Sequence, residues 1–382
     1  MTHVLLAVIY AAFISLGLPD ALLGSAWPLM YPEFEVSVSR AGVVFMIISA
    51  CTVVSSLMSD KLTRRFGTGK VTAISVGITA AALFGFSCST SFWMLCLWAI
   101  PYGLGAGSVD ASLNNYVALH YASRHMSWLH CMWGIGASAG PYIMGGILTV
   151  GLRWNMGYRT IGLLQIALTA VLFLSLPLWK KRVNEDDSQF LSPELKLAQI
   201  IRIPGAKESM VMFFCYCALE QTAGLWASSY LVLRKSVSGE TAAAFASMFF
   251  IGIAVGRAVS GLLTIKLNDT QMIRLGQSVI ALGSAIMLFP FGQTFSLVGF
   301  ILVGLGCAPI YPCVIHATPA RFGAENSQAV IGVQMASAYI GTSLMPPLFG
   351  LVAEHIDVAL LPAYLLTVLA AMTLMHERLL RT

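Results

Sequence analysis

Three acidic residues stand inside long apolar runs: Asp20 in the run 4–30, Asp110 in 92–119 and Glu220 in 209–233. A charged side chain at the centre of a membrane helix costs roughly 2.5–3.5 kcal/mol on insertion scales, so one that is retained there points to function. At 1.5 Å per residue, each acid lies within about 7 Å of the middle of its run. Desolvation disfavours an ionised carboxyl, and a carboxyl so placed can take a proton from one side and release it to the other. Proton coupling is therefore the chemistry expected of Asp20, Asp110 and Glu220.

On a helix, positions i, i+3, i+4 and i+7 share a face. Asp20 shares its face with Gly24 and Trp27, Asp110 with Gly103, Gly107 and Asn114, and Glu220 has Gly224 one turn on. Carboxylate, amide and indole together suit a polyhydroxylated ligand, with hydrogen bonds for its hydroxyls and an aromatic face for its C–H side. His130 and Trp133 lie three apart in the run 128–150, and Gln334 and Ser337 three apart in 327–353. With Trp226 and Tyr311, these complete the expected solute-binding set: Asp20, Trp27, Asp110, Asn114, His130, Trp133, Glu220, Trp226, Tyr311 and Gln334. For His130, Trp226 and Tyr311 the competing reading is ordinary packing between helices. Arg257, inside the run 241–265, is read as structural or gating, able to snorkel or to bond helix ends. His316 falls at the end of its run and is given no role.

The elements that must carry these residues follow from composition. Of 382 residues, 57% are apolar and 10% charged, where a soluble domain has about a quarter charged. That disfavours a water-soluble enzyme, a disordered chain and a nucleic-acid binder. A spanning helix needs about 20 apolar residues, and the runs 4–30, 38–59, 71–90, 92–119, 128–150, 158–179, 209–233, 241–265, 272–291, 294–316, 327–353 and 357–376 supply twelve. The fold class expected is an all-α membrane protein. A six-helix bundle over 1–180, a polar linker over 181–208 containing Glu185, Asp186, Asp187 and Pro193, and a second six-helix bundle over 209–382 make up the chain. The amino terminus lacks a basic region and cleavage site, and is read as the start of the first span.

With both termini inside, 16 of the 22 Lys and Arg fall on the cytoplasmic side, the bias that sets orientation. The eight cysteines all lie in apolar runs, as small core side chains rather than a disulfide framework. The halves also repeat. Val54 to Leu62 matches Val259 to Leu267 with five identities in nine, 205 positions on. Gly103 and Gly105 recur as Gly304 and Gly306, 201 on; Ile135, Gly136, Ser138 and Pro141 as Ile340, Gly341, Ser343 and Pro346, 205 on; Asp20 and Gly24 meet Glu220 and Gly224, 200 on. Ordered matches at nearly one offset mark parallel repeats of the kind on which transporters are built.

Twelve spans as two sixes, with a charged turn from Asp60 through Lys61, Arg64, Arg65, Gly67 and Gly69 to Lys70, resemble the major facilitator superfamily over the whole chain. The aspartate stands further from the glycine than in the commonest form of that turn. The resemblance implies a gating role for Asp60, Arg64 and Arg65, with Arg257 in the second-half echo. Within the superfamily, Leu18-Pro19-Asp20, the stretch from Asp110 to Asn115, Gly134 to Pro141, and Ala308 to Pro312 are most similar to the fucose permease and glucose/proton symporter group. That likeness implies proton coupling and sugar recognition by Asp20 and Asp110, with the amide of Asn114 four residues after the second acid. Here the second acid is Asp where the fucose permease has Glu, which shortens its reach.

The matches of Gly136 to Gly140 with G-x-S-x-G, and of Gly134 to Ala139 with a dinucleotide fingerprint, need a preceding strand, and the run is helical. No HExxH, Walker A or metal-spaced cluster occurs. The chain is read as no enzyme and without cofactor, the proton serving as coupling ion. The expected function is proton-coupled symport of a sugar or similar small polar solute by alternating access. A multidrug or organic-cation efflux pump is the alternative, since the stretch Gly136 to Gly146 partly follows the antiporter motif; a non-transporting receptor or membrane enzyme is a further rival. The expected partners are the solute and the lipid bilayer, with no nucleic acid, and the protein is expected as a monomer in a bacterial inner membrane.

Overall fold

The structure is a computed structural model that describes every residue except 1, 21, 38–39, 184–194, 236–238 and 290–291. Its fifteen described α-helices are α1 (Thr2–Gly17), α2 (Leu22–Glu33), α3 (Ala41–Phe66), α4 (Thr68–Cys88), α5 (Phe92–His120), α6 (Ser123–Thr149), α7 (Trp154–Val183), α8 (Leu197–Ile200), α9 (Ala206–Lys235), α10 (Gly239–Leu263), α11 (Asp269–Leu288), α12 (Gln293–Cys307), α13 (Ile310–Phe322), α14 (Ala324–Val352) and α15 (Leu361–Leu379). No strand occurs among the described residues. Helix is the form in which an apolar chain satisfies every backbone group without water. Leu97, Leu174, Leu225 and Leu262 are exposed. The acidic run from Glu185 to Asp187, and Pro193, lie outside the described residues.

Each expected span is met by helix, with two corrections. The run 4–30 is not one helix: it breaks between α1 and α2, where Pro19 has no N–H to donate and the Asp20 and Leu22 amides make tight bonds to the carbonyls of Gly17 and Pro19 (3.1 Å each). The run 294–316 breaks likewise at Ala308 and Pro309, and its second part continues to Phe322. Helix α3 outruns its expected end and stops at Gly67, whose φ of 78° few other residues adopt. Gly323, with φ 84°, separates α13 from α14 in the same way.

The chain forms two compact units. The first comprises residues 1–116, 129–194 and 323–332; in it α4 lies along α7, and α1 and α2 also pack on α7. The second comprises 117–128, 195–322 and 333–382; in it α11 lies along α12, α10 along α12, and α9 along α15.

Within each unit the repeat is visible at single contacts. A Cβ added to Gly103 would strike the Ile48 carbonyl, and one added to Gly304 the Phe249 carbonyl. A Cβ on Gly136 would strike the Ile14 carbonyl, and one on Gly341 the Phe214 carbonyl. The same helix pairs thus approach backbone to backbone at repeat-related glycines, which is how helices associate where no hydrophobic force between them exists.

Candidate functional site

Asp20 sits in the turn that breaks α1 from α2, and it is exposed. Two donors fix its carboxylate: the Trp133 indole Nε1–H from α6, at 2.9 Å to Oδ2, and the Tyr102 hydroxyl from α5, at 3.3 Å to Oδ1. Gly24, one turn on, and Gly134, beside Trp133, would each meet nothing within 4 Å if given a Cβ. Asp20 therefore lies on an open face, held in orientation yet reachable.

Asp110 is set differently. It is buried and accepts the Asn114 Nδ2–H at 2.8 Å, one turn along α5. The other end of that amide, Asn114 Oδ1, lies 3.0 Å from His130 Nε2. With its nitrogen given to Asp110, the amide oxygen must accept, so His130 donates through Nε2. Carboxylate, amide and imidazole thus form one hydrogen-bonded chain inside the first unit, with Phe13 edge-on to the imidazole at 5.4 Å. The stripe of Gly103 and Gly107 before Asp110 is closed by α3, since a Cβ there would strike the carbonyls of Ile48 and Thr52. The neighbour of these glycines is helix.

In the second unit Glu220, half-buried, accepts from the Tyr216 hydroxyl and faces Arg257 at 3.8 Å. Of the two postures expected of Arg257, snorkelling or bonding to helix ends, the first is not seen: its side chain is 4% exposed and lies across from Glu220, where opposite charge offsets the cost of burial. Gly224, unlike Gly24, is covered by Phe249 and Phe250. Tyr311 is half-buried, its hydroxyl 3.0 Å from Met335 Sδ and its ring against Phe213 and Tyr216.

Other expected contacts are placed away from an open face. Trp27 is buried in an apolar cluster with Leu22, Met30, Ala99 and Tyr102, so it packs the back of the Asp20 site. Gln334 is fully buried; its Nε2 donates to Ser209 Oγ at 2.6 Å, and its Oε1 accepts from the Thr318 hydroxyl at 3.2 Å. It braces three helices. Trp226 donates to the Pro346 carbonyl at 3.0 Å.

Of the gating set, Arg64 Nε contacts both oxygens of Asp60 at 2.9 and 3.0 Å, and Arg64 Nη2 donates to the Glu325 carbonyl. Ser59 and Asn115 also meet the start of α14, through Gln328 and Ser327. Arg65 is exposed and lies over the Phe66 ring. Among the described residues no group of three or more His, Cys, Asp or Glu could hold a metal ion.

Sequence reasoning missed Tyr102, Tyr216 and the pair Asp269–His316, whose contacts are given below. Tyr216 was within reach, standing one turn before Glu220. Tyr102, at i−8 from Asp110, lies near the same stripe.

Residues 9–346 match the Major Facilitator Superfamily, and the chain belongs to that family. It is a membrane transporter, not an enzyme. Bypass of stop codon protein 6 of Saccharomyces cerevisiae is 22% identical over 402 residues, covering 95% of this chain and 79% of that protein. The glucose/mannose transporter GlcP of Bacillus subtilis is 19% identical over 348 residues, covering 89% and 86%. Among solved structures, the proton:xylose symporter XylE bound to 6-bromo-6-deoxy-D-glucose is similar with a TM-score of 0.80 at 12% identity, covering 97% of this chain and 94% of that one. The Escherichia coli fucose:proton symporter FucP, in the outward conformation, gives 0.74 at 12% identity and covers 97% of both chains. At these identities the structures share the fold.

Proposed function

We propose that the protein is a secondary active transporter that carries a sugar or similar small polar solute together with protons by alternating access. The observation that carries this is Asp20: an exposed carboxylate in a helix break, oriented by an indole and a phenol. Broken helices are where transporters of this kind build solute and ion sites. In this reading Asp20 exchanges protons and bonds solute hydroxyls, Trp133 offers its ring, and Asp110 exchanges protons while Asn114, itself braced by His130, orients its carboxyl. Glu220, neutralised by Arg257, supplies polar contacts from the second unit with Tyr311. The halves 1–180 and 209–382 are the moving bundles, joined by 181–208. Both termini are cytoplasmic, in a bacterial inner membrane, and the monomer is the working form.

The test is uptake of labelled monosaccharides into proteoliposomes under an imposed pH gradient. The wild type concentrates its solute; Asp20→Asn and Asp110→Asn exchange solute across the membrane without concentrating it. Variants that still accumulate solute against its gradient would overturn the coupling roles, and absence of any sugar flux in the wild type would overturn the solute class.

A further inference from the structure

Outside both acidic clusters, the second unit holds a histidine whose two ring nitrogens both face oxygen acceptors. His316 Nδ1 lies 2.6 Å from Asp269 Oδ2, and its Nε2 lies 3.1 Å from the carbonyl oxygen of Tyr121. A neutral imidazole has one N–H and one lone pair, and a carbonyl can only accept. The other oxygen of Asp269 is already taken by the Ser123 hydroxyl at 2.5 Å. Asp269 is also the first residue of α11, capped by Asn268 and Gln271, where the helix end favours negative charge. Satisfying every contact takes one proton more than a neutral imidazole and a carboxylate together possess.

We infer that His316 and Asp269 form a further proton-binding site, which holds the junction between α5 and α6 only while it carries that extra proton. Residues 117–128 belong to the second unit, and this site anchors one end of them. An apolar contact lies at the other end: Trp128 covers Gly261, with His125 edge-on to both Trp128 and Tyr121. Loss of the proton to water turns a lone pair toward either the carbonyl or the carboxylate, and the Tyr121–Ser123 end of the junction loses a hydrogen bond.

Asp269 is the charged side chain acting on His316. Its own helix adds the Cys313 thiol near Ser123, and the junction adds Arg124 and His125, bonded to one another. Over its whole length α12 carries no charged residue, and among the described residues no charge of α9 acts on it. The site does not depend on the direction of transport or on the solute.

Hydrogen exchange of the full-length protein in lipid nanodiscs, followed by mass spectrometry from about pH 5 to about pH 9 across the ordinary histidine range, tests this. After correction for intrinsic exchange rates, amides of 121–128 in the wild type lose protection by roughly fivefold as pH rises, the equivalent of about one hydrogen bond. His316→Gln and Asp269→Asn give low protection at every pH, and His125→Gln, which removes ring contacts with Trp128 and Tyr121, lowers protection but keeps its fall with rising pH. A flat wild-type profile, which needs no variant to fold, overturns the inference. So does a His316→Gln protein that keeps the pH dependence, or a His125→Gln protein that loses it.

Discussion

The indole N–H of Trp133, on α6, donates to the Asp20 carboxylate, in the break between α1 and α2, across 2.9 Å. Trp133 is also half-buried, so one side chain both aims the acid and keeps a ring surface toward the open side. Replacing it with Phe removes the donor and preserves an aromatic face. A hydrogen bond to a charged group is worth about 1.5–3 kcal/mol. Trp133→Phe should therefore lower kcat/KM for uptake by roughly tenfold or more and move its pH profile. An unaltered pH profile would show that Trp133 acts only as a wall.

The Glu220–Arg257 pair makes a stability prediction. With side chains 14% and 4% exposed, neither charge can be solvated once its partner is gone, and breaking a buried pair from one side costs about 3–5 kcal/mol. Glu220→Gln and Arg257→Met should each lower the melting temperature in detergent sharply. The double variant should recover much of the loss, because replacing a buried pair with neutral side chains is often close to neutral. Additive losses in this double-mutant cycle would mean that the two charges do not stabilise one another.

The chain from Asp110 through Asn114 to His130 makes a prediction about coupling. Asn114→Leu keeps the branched shape and removes both bonds, leaving two buried polar groups without that partner. Transport driven by a pH gradient should fall far more than exchange of solute between equal pH values. His130→Gln, whose amide can still donate to the Asn114 oxygen, should be milder than His130→Leu. If driven uptake and exchange fall in parallel, the chain is structural.

What was legible in the sequence follows from what its patterns encode. The twelve spans, the repeat and the three acids could be read because apolar run length, offset and hydropathy are properties of the chain alone. Periodicity also put Gly103 and Gly107 on one stripe with Asp110, but a stripe says nothing of what faces it. In the structure that neighbour is α3. Reading one helix through both residues puts Trp27 on the face of Asp20; α2 begins at Leu22, so Asp20 stands outside it, and the ring turns into the apolar cluster. Arg257 and Glu220 stand 37 residues apart, and His316 and Asp269 stand 47 apart. Such pairs are made by helix packing, which no local pattern specifies.

Glycines of like spacing in this chain are expected to respond oppositely to substitution. Gly103 and Gly107 have the four-residue spacing at which small side chains let two helices touch, and a Cβ on either would enter a carbonyl oxygen of α3. Bulk there can be accommodated only by moving α5, which carries Asp110 and Asn114, away from α3. Overpacking of this kind costs typically about 1–3 kcal/mol. Gly107→Val should therefore lower the melting temperature and weaken coupling together. Gly24, one turn from Asp20, meets open space, so Gly24→Val should fold with a near-normal melting temperature. It should lose solute affinity, because its methyls fill open space four residues from the acid proposed to bind solute. Measuring melting temperature and KM on both variants separates the two surfaces. A Gly24→Val protein with unchanged KM would show that solute does not approach Asp20 from that side.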